Sequence, residues 1–238
     1  MPLKKLSVII PVYNEAATVQ ELLKRVVEVQ LPQNITKELV VVNDSSTDNT
    51  LEKVNEFAQN NPNAEIHIFS QQPNQGKGAA LHRGIKEATG DYLVIQDADL
   101  EYDPEDYLLL LKPVLEKNAD VVYGSRFLRG SPHRIVRYWH SMGNKFLTWL
   151  SNMFSNLSLT DMETCYKLFR SDIIKQIQLK EKRFGFEPEV TAKLAKIKNL
   201  KIYETGINYH GRSYESGKKI NWKDGVRAIY CILKYNLF

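Results

Sequence analysis

The chain has 238 residues, of which 43% are apolar and 25% charged. That is the balance of an ordinary soluble globular protein, long enough for one domain with a full core. No apolar run reaches the ~18 residues of a membrane-crossing helix, and the start of the chain leads only into a short apolar stretch, Leu6 to Val12; neither a span nor a leader segment is expected.

Net charge is +4, unevenly placed: from Lys198 to Phe238 eight Lys/Arg face three Asp/Glu. A basic tail of this kind suits a membrane surface, a nucleic acid or phosphorylated small molecules. No helix-turn-helix, zinc-finger or RNA-binding aromatic motif accompanies it, so nucleic acid is not an expected partner. Cys165 and Cys231 form no ligand pattern or disulfide framework, and buried thiols in a reducing compartment are expected.

In chain order, the pattern predicts a strand over 6–11, a helix over 16–29, a strand over 39–43, and a helix over 47–60 with Ser46 or Thr47 near its cap. A strand over 65–70, a helix over 77–89 ended by Gly90, and a strand over 92–95 follow. Asp103 is placed to cap a helix over 104–116 with Pro104 in its first turn, and a short strand covers 121–123. Beyond residue 125 the pattern is less regular. It predicts a helix over 138–156, a strand over 165–169, helices over 171–178 and 188–196, a strand over 202–208 and a C-terminal helix over 222–234. Strands alternating with helices predict βαβ units, hence an α/β domain with a mostly parallel sheet flanked by helices. Its ligand site belongs beyond the carboxyl ends of the strands. No repeat or linker marks a second independent domain.

The loops at those ends carry the chemistry. Gln96-Asp97-Ala98-Asp99-Leu100 follows the apolar run Tyr92–Ile95. Carboxylates are costly to bury unpaired, but at a strand's end they can meet solvent and a hard cation shared with substrate phosphates, as a nucleoside-diphosphate donor requires. An acidic surface loop reads the same way. After the first strand come Pro11-Val12-Tyr13-Asn14-Glu15, and after the second Asn43-Asp44-Ser45-Ser46-Thr47-Asp48. Neither holds a dinucleotide or P-loop glycine pattern. Tyr13 can lie against a base or ribose, Glu15 can accept from ribose hydroxyls, and Asp44 can accept from a base N–H. Local turn and capping chemistry accounts equally for Asn43, Ser45, Ser46, Thr47 and Asp48. In Gln75-Gly76-Lys77-Gly78 the glycines permit close approach, and Lys77 suits either a phosphate or the Asp97/Asp99 carboxylates.

Gly124-Ser125-Arg126, Arg134, Arg137 and Ser141 make a basic, hydroxylic segment, and arginine fits phosphate by paired hydrogen bonds. Charge balance around the acidic loops is the plainer use of these arginines. Trp139, Met142, Phe146, Trp149 and Met153 recur at helical spacing. Such a face belongs either to a core helix or to one resting on lipid. Trp222, Val226, Ile229 and Leu233, with Lys218, Lys219, Lys223 and Arg227, repeat the amphipathic form.

Taken together, Ser7–Glu15, Val41–Asp48, Asn74–Gly78, Gln96–Asp99 and Gly124–Arg126 resemble the inverting family 2 glycosyltransferases of the GT-A fold, and within them the polyprenyl-phosphate sugar transferases, dolichyl-phosphate mannosyl- and glucosyltransferases included. The resemblance implies a Rossmann-like GT-A sheet with a C-terminal amphipathic helical region. Residues 1–125 would be the nucleotide-sugar half and 126–238 the acceptor-binding, membrane-facing half of the same domain. It implies that Asp97, Asp99 and Glu101 organise Mg²⁺ or Mn²⁺ on the donor diphosphate, Glu101 standing where glutamine is frequent. The donor would be held by Pro11, Tyr13, Glu15, Asp44, Lys77, Asp97, Ala98, Asp99, Arg212 and Lys218. Arg126, Arg137 and Ser141 would take the acceptor phosphate, and Asp161 and Glu187 would line the reaction site. Asn43 stands in place of the family's usual aspartate and Ser45 in place of its glycine. Thr160–Lys167, Phe184–Glu189 and His210–Arg212 also match, the last as the loop that closes on the departing diphosphate.

The expected reaction is attack by a polyprenyl phosphate oxygen on the sugar's anomeric carbon, with inversion, from a GDP-mannose or UDP-glucose type donor. A phosphate acceptor is already anionic near neutral pH; it needs surrounding positive charge more than a base. Transfer to a saccharide hydroxyl is the alternative, which requires a carboxylate such as Asp161 or Glu187 as base. A binding or scaffold protein without turnover is a reading of another class, opposed by the Asp97/Asp99 pair and the arginine series. The expected location is cytoplasmic, peripheral at the membrane face.

Overall fold

The computed structural model describes residues 3–128, 138–211 and 222–238. Seven strands form one sheet: β1 (Lys5–Val12), β2 (Thr36–Asn43), β3 (Glu65–Ser70), β4 (Tyr92–Ile95), β5 (Val121–Ser125), β6 (Lys167–Arg170) and β7 (Ile202–Gly206). Their order is β3-β2-β1-β4-β6-β5-β7. Every neighbouring pair is parallel except those made by β6, which runs antiparallel to both β4 and β5. The sheet is the mostly parallel α/β sheet that the sequence leads one to expect, made mixed by the single reversed strand. Strand order reverses between β1 and β4, so the crevice at this switch point opens beyond their carboxyl ends.

Eight helices complete the described fold: α1 (Val19–Glu28), α2 (Thr50–Asn60), α3 (Lys77–Glu87), α4 (Tyr107–Lys117), α5 (Tyr138–Ser155), α6 (Ser171–Ile174), α7 (Phe186–Ala195) and α8 (Trp222–Leu237). The central strands read as continuous apolar runs because both faces are covered; Val8, Ile9 and Ile10 of β1 and Leu39 to Val42 of β2 are buried. Helix α3 lies on β1 and β2, α4 on β5 and β7, and α5, α7 and α8 pack on one another. No helix among the described residues is long and apolar enough to cross a membrane.

Several boundaries move for local reasons. The second helix starts at Thr50, not near Thr47, because Ser46 and Thr47 bond to Asn14 of the neighbouring loop, while the Asp48 carboxylate accepts from the Thr50 amide at 3.0 Å. The first helix likewise starts at Val19, since the amides of Glu15 and Ala16 donate to Thr50 and Asp48. Asp103 does cap a helical turn, accepting from the Glu105 amide, but that turn is a 3-10 one before α4. Strand β6 begins at Lys167 rather than Cys165, whose amide donates to the Tyr102 hydroxyl. The helix expected over 171–178 closes after Ile174. Cys165 and Cys231 are buried free thiols, as expected.

At the opposite end of the sheet, Glu38 is fully buried and accepts from the Ser7 and Thr89 hydroxyls, the Thr89 and Gly90 amides, and the Lys5 ammonium at 2.9 Å. Burial works against its charge, but these donors outweigh it and bring its pKa down to about 2. Its contribution is therefore complete above the ordinary carboxylate pKa of about 4.5 and disappears as pH falls toward about 2. Glu38→Gln is expected to cost about 1–3 kcal/mol at neutral pH and to flatten the loss of stability on acidification. Urea unfolding followed across pH checks this; an unchanged acid limb contradicts it.

Candidate active site

The loops beyond the carboxyl ends of β1, β2, β3 and β4 meet at the switch point, and three of them carry a non-glycine residue in the left-handed region. These are Asn14 (φ 52°), Ser45 (φ 57°) and Leu100 (φ 62°). Such backbone is costly for L-residues and persists where surroundings fix it. At Leu100 the turn brings the Glu101 amide onto the Asp99 carboxylate at 3.0 Å. The positive φ of Ser45 explains why glycine is usual at its place in the family pattern; its hydroxyl holds the Gln71 carbonyl at 2.8 Å.

Asp44 is buried, and its carboxylate accepts from Gln71 Nε2 at 2.6 Å, the Gln75 amide at 2.7 Å and the Gly76 amide at 2.7 Å. A carboxylate offers about four acceptor positions, so one remains for a ligand N–H. Asp44 thereby shapes the loop that presents Lys77. Gly76 (φ +98°) has no room for a side chain: a Cβ there would stand 2.6 Å from the Lys182 carbonyl oxygen. Tyr13 is 36% exposed at the rim. Pro11 and Glu15 are partly buried, and Ala98 is buried with its carbonyl accepting from Thr18 at 2.8 Å.

Lys77 is turned to carboxylates. Its ammonium lies 2.8 Å from Asp97 Oδ1 and 3.6 Å from Glu187 Oε1. Burial opposes the charge, yet Asp97 above all, with Glu187, holds it well above the usual lysine pKa. Glu187 comes from the first turn of α7 and is buried. Glu101 accepts from the Tyr209 hydroxyl at 2.8 Å, and its carbonyl from the His210 amide at 2.8 Å. The chain thus passes the carboxylate loop just before residue 212. Arg134, Arg137, Arg212, Ser216, Lys218 and Lys219 lie outside the described residues.

The reversed strand β6 delivers the other half of the site. Because it runs against β4 and β5, the residues leading into it arrive at the carboxyl end. Asp161 is buried and grips Arg126 by two parallel bonds, Nε to Oδ2 at 2.7 Å and Nη2 to Oδ1 at 2.8 Å. Burial raises the Asp161 carboxyl, but Arg126 outweighs it and holds the group below its ordinary range. The Arg126 guanidinium also lies over the Tyr209 ring, 5.2 Å from its centroid. Ser141 is partly exposed on α5.

Sequence reasoning missed Glu163 and Lys167. Glu163 Oε1 is buried without a hydrogen-bond partner among the described residues. Burial and the Glu187 charge push its pKa up to about 8, against the pull of Lys167 and Arg126. Lys167 is fully buried, bonds the Thr164 carbonyl, and is lowered by that burial. The signal available was Glu163 lying between Asp161 and the strand, legible only once the strand's direction is known.

The exposed face of α5 settles one open alternative. Trp139 is 82% exposed and Trp149 57%, with Met142, Phe146 and Met153 exposed beside them. Asn144, Thr148 and Ser151 are buried on the same helix. The aromatic face is therefore not a core face. On α8, Val226, Tyr230 and Leu237 are exposed, while Cys231, Ile232 and Tyr235 are buried.

Among the described residues, Glu38, Glu65 and His67 alone bring three potential metal-ligating groups within 4.8 Å. They stand at the amino ends of the strands, where the Lys5 ammonium already lies 2.9 Å from Glu38 and 2.7 Å from Glu65. Asp97, Asp99 and Glu101 form no such closed cage. Their all-oxygen donor set suits a hard cation completed by phosphate and water.

The Glu163 carboxyl is expected to titrate near pH 8, and Glu187→Gln to move its midpoint downward, since a negative neighbour is removed. Carbon NMR of labelled glutamate reads both; a midpoint in the ordinary carboxylate range contradicts the placement of Glu163.

Residues 7–178 match the family described as glycosyl transferase family 2. The chain is 30% identical over 241 residues to a dolichol-phosphate mannosyltransferase of Pyrococcus furiosus, covering 97% of this chain and 64% of that one. To a dolichyl-phosphate beta-glucosyltransferase of Trichomonas vaginalis it is 31% identical, covering 86% and 65%. The chain thus spans less than two thirds of the length of these relatives. Its fold superposes on glucosyl-3-phosphoglycerate synthase of Mycobacterium tuberculosis, crystallised with Mn²⁺, uridine diphosphate and glucosyl-3-phosphoglycerate, with a TM-score of 0.75 at 17% identity, covering 99% of this chain and 81% of that one. Sheet order, the loops at the switch point and the family match agree: the chain belongs to glycosyl transferase family 2.

Proposed function

We propose that the protein is an inverting, metal-assisted glycosyltransferase that moves a hexose from a nucleoside-diphosphate sugar to a polyprenyl phosphate at a membrane surface. The observation that carries the acceptor reading is the two-sided helix α5. Its outward face exposes Trp139, Phe146 and Trp149, and its inward face reaches the Asp161–Arg126 pair through Asn144. An acceptor with an apolar tail and an anionic head matches both sides. The activities in the names of the Pyrococcus and Trichomonas relatives support it.

On the donor side, the cation would be held by Asp99, Glu101 and Asp97. Mn²⁺ in the mycobacterial synthase supports this choice of metal. Bound there, it supplies positive charge to the leaving diphosphate. The chain's own residues do the rest. Tyr13 offers a ring face to the base, and the remaining acceptor position of Asp44 takes a base N–H. Lys77 keeps positive charge at the donor end while neutralising Asp97. Arg126 spends two of its five guanidinium N–H groups on Asp161, leaving three for the acceptor phosphate. Arg137 and Ser141 extend that anion site, and Arg212 and Lys218 neutralise the departing diphosphate. Asp161 and Glu187 act by orienting Arg126 and Lys77. The phosphate acceptor is already an anion, so its attack needs no base.

A second reading rests on Glu163. A carboxyl with a pKa of about 8 and a buried oxygen without a partner among the described residues holds its proton at neutral pH, and it becomes a base for a hydroxyl acceptor only as it ionises toward pH 8. Transfer to a saccharide would then run through Glu163.

The deciding experiment offers GDP- and UDP-sugars with lipid-phosphate, phosphoglycerate and oligosaccharide acceptors. Label is expected in a chloroform-soluble, mild-acid-labile product. Label only in water-soluble products refutes the lipid acceptor. Excess EDTA is expected to abolish turnover, and Asp99→Ala to lower it about tenfold or more; full activity in EDTA overturns the metal assignment.

The exposed faces of α5 and α8 are proposed to rest on an anionic leaflet, with Lys145, Lys223, Arg227 and Lys234 supplying the charge. Sedimentation with anionic vesicles is expected to weaken with salt and with Trp139→Ser plus Trp149→Ser. A protein that leaves such vesicles in the supernatant at low salt contradicts peripheral attachment.

A further inference from the structure

The buried side of α5 bonds the Asp161 loop through two side chains: Thr148 Oγ1 accepts the Met162 amide at 3.1 Å, and Asn144 reaches the Asp161 carboxylate itself. Asn144 Nδ2 donates to Asp161 Oδ1 at 2.9 Å, and both residues are buried. We propose that Asn144 is a positioning residue that fixes the Arg126 guanidinium for the acceptor phosphate, an inference that rests on the acceptor reading above.

The Asp161 carboxylate is saturated. Oδ2 accepts the Arg126 amide at 3.0 Å and Nε at 2.7 Å, while Oδ1 accepts Nη2 at 2.8 Å and Asn144 Nδ2 at 2.9 Å. Those are its four acceptor positions. Three come from Arg126 itself, so Asn144 is the one side chain among these donors that references the pair to the rest of the fold. Its amide makes that bond while its own Oδ1 stays buried without a partner among the described residues. A flipped amide would set that oxygen against the carboxylate, so Asp161 dictates the orientation. With the carboxylate fixed, the guanidinium is held at its edge by Asp161 and on its face by Tyr209. The two N–H groups on its Nη1–Nη2 edge are then fixed in direction before any acceptor arrives, which is the preorganisation a phosphate site needs.

Helix α5 adds the second half of the geometry. Met142 and Phe146 lie two residues to either side of Asn144 and are exposed. One helical turn thereby carries an apolar surface outward and the reference point for an anion inward. An amphiphilic phosphate can be read at both ends by the same rigid element.

The test uses the full chain, a polyprenyl phosphate in detergent micelles, and the nucleotide sugar found in the donor screen. Asn144→Ala is expected to raise the acceptor KM about tenfold or more, with donor KM and vesicle sedimentation unchanged. Asn144→Asp preserves shape but sets a second carboxylate beside Asp161, so it is expected to be worse than Asn144→Ala; a packing role predicts the reverse order. Wild-type acceptor KM in Asn144→Asp overturns the proposal, and so does equal loss toward donor and acceptor. Exchange of the Arg126 Nε–H proton, followed by arginine NMR, reads the pair without turnover. It is expected to quicken about tenfold in Asn144→Ala, and an unchanged rate overturns the positioning role. If the wild type transfers sugar to no phosphate-bearing acceptor, the acceptor reading fails, and the exchange rate still decides whether Asn144 positions Arg126.

Discussion

Charge neutrality in a buried cluster is the constraint on which this site depends. Lys77, Arg126 and Lys167 face Asp97, Asp161, Glu187 and Glu163 at the carboxyl end of the sheet. Three cations cannot balance four carboxylates where water is scarce. The structure relieves the excess at the carboxyl that has a buried oxygen without a partner among the described residues, holding a proton on Glu163, while the paired carboxylate Asp161 is pulled the other way. Each functional side chain is therefore set by its neighbours as much as by its own loop. Substitution at one member shifts the others, so single mutants in this cluster will not add.

The same constraint explains the division of labour between loops. The Asp44 carboxylate is committed to Gln71, Gln75 and Gly76, and this holds the glycine-flanked Lys77 where it meets Asp97. Asp99 and Glu101, on the turn made by left-handed Leu100, are bonded from the side by a backbone amide and by Tyr209. A cation shared between such a loop and a diphosphate needs few protein ligands, and an open carboxylate loop meets that need better than a closed cage.

Much of the fold was legible because alternating apolar runs and helical spacings record burial directly. All seven strands and the eight helices announce themselves in the sequence, with boundaries displaced where a side chain such as Asp48 competes for an amide. The positions of the carboxylate loop, Lys77 and the arginine after β5 were legible because the apolar runs before them mark where each strand stops. What stayed hidden depended on direction and on partners. Periodicity does not encode whether β6 runs with or against its neighbours, so the match of Thr160–Lys167 singled out Asp161 and gave Glu163 and Lys167 no place of their own. Asn144 is an ordinary polar residue in a helix until the burial of its side is known. The aromatic spacing of α5 fits a core equally well; only the exposure of Trp139 and Trp149 distinguishes the two.

The reversed strand also orders events in time. Among the described residues strand β5 pairs only with β6 and β7, and β6 stands between it and β4. Although β5 precedes β6 by some forty residues of sequence, it has no hydrogen-bonded route into the growing sheet until Arg170 has been made. A nascent chain emerging from a ribosome can assemble β1 to β4 early, since these strands pair among themselves. The half that carries Arg126 must wait, its edge unpaired and its aromatic helix already synthesised. Exposed strand edges and apolar faces are what chaperones bind and what aggregation feeds on. The interval between residues 125 and 170 is thus the vulnerable stage of this protein's biogenesis, set by topology rather than by the stability of the finished fold.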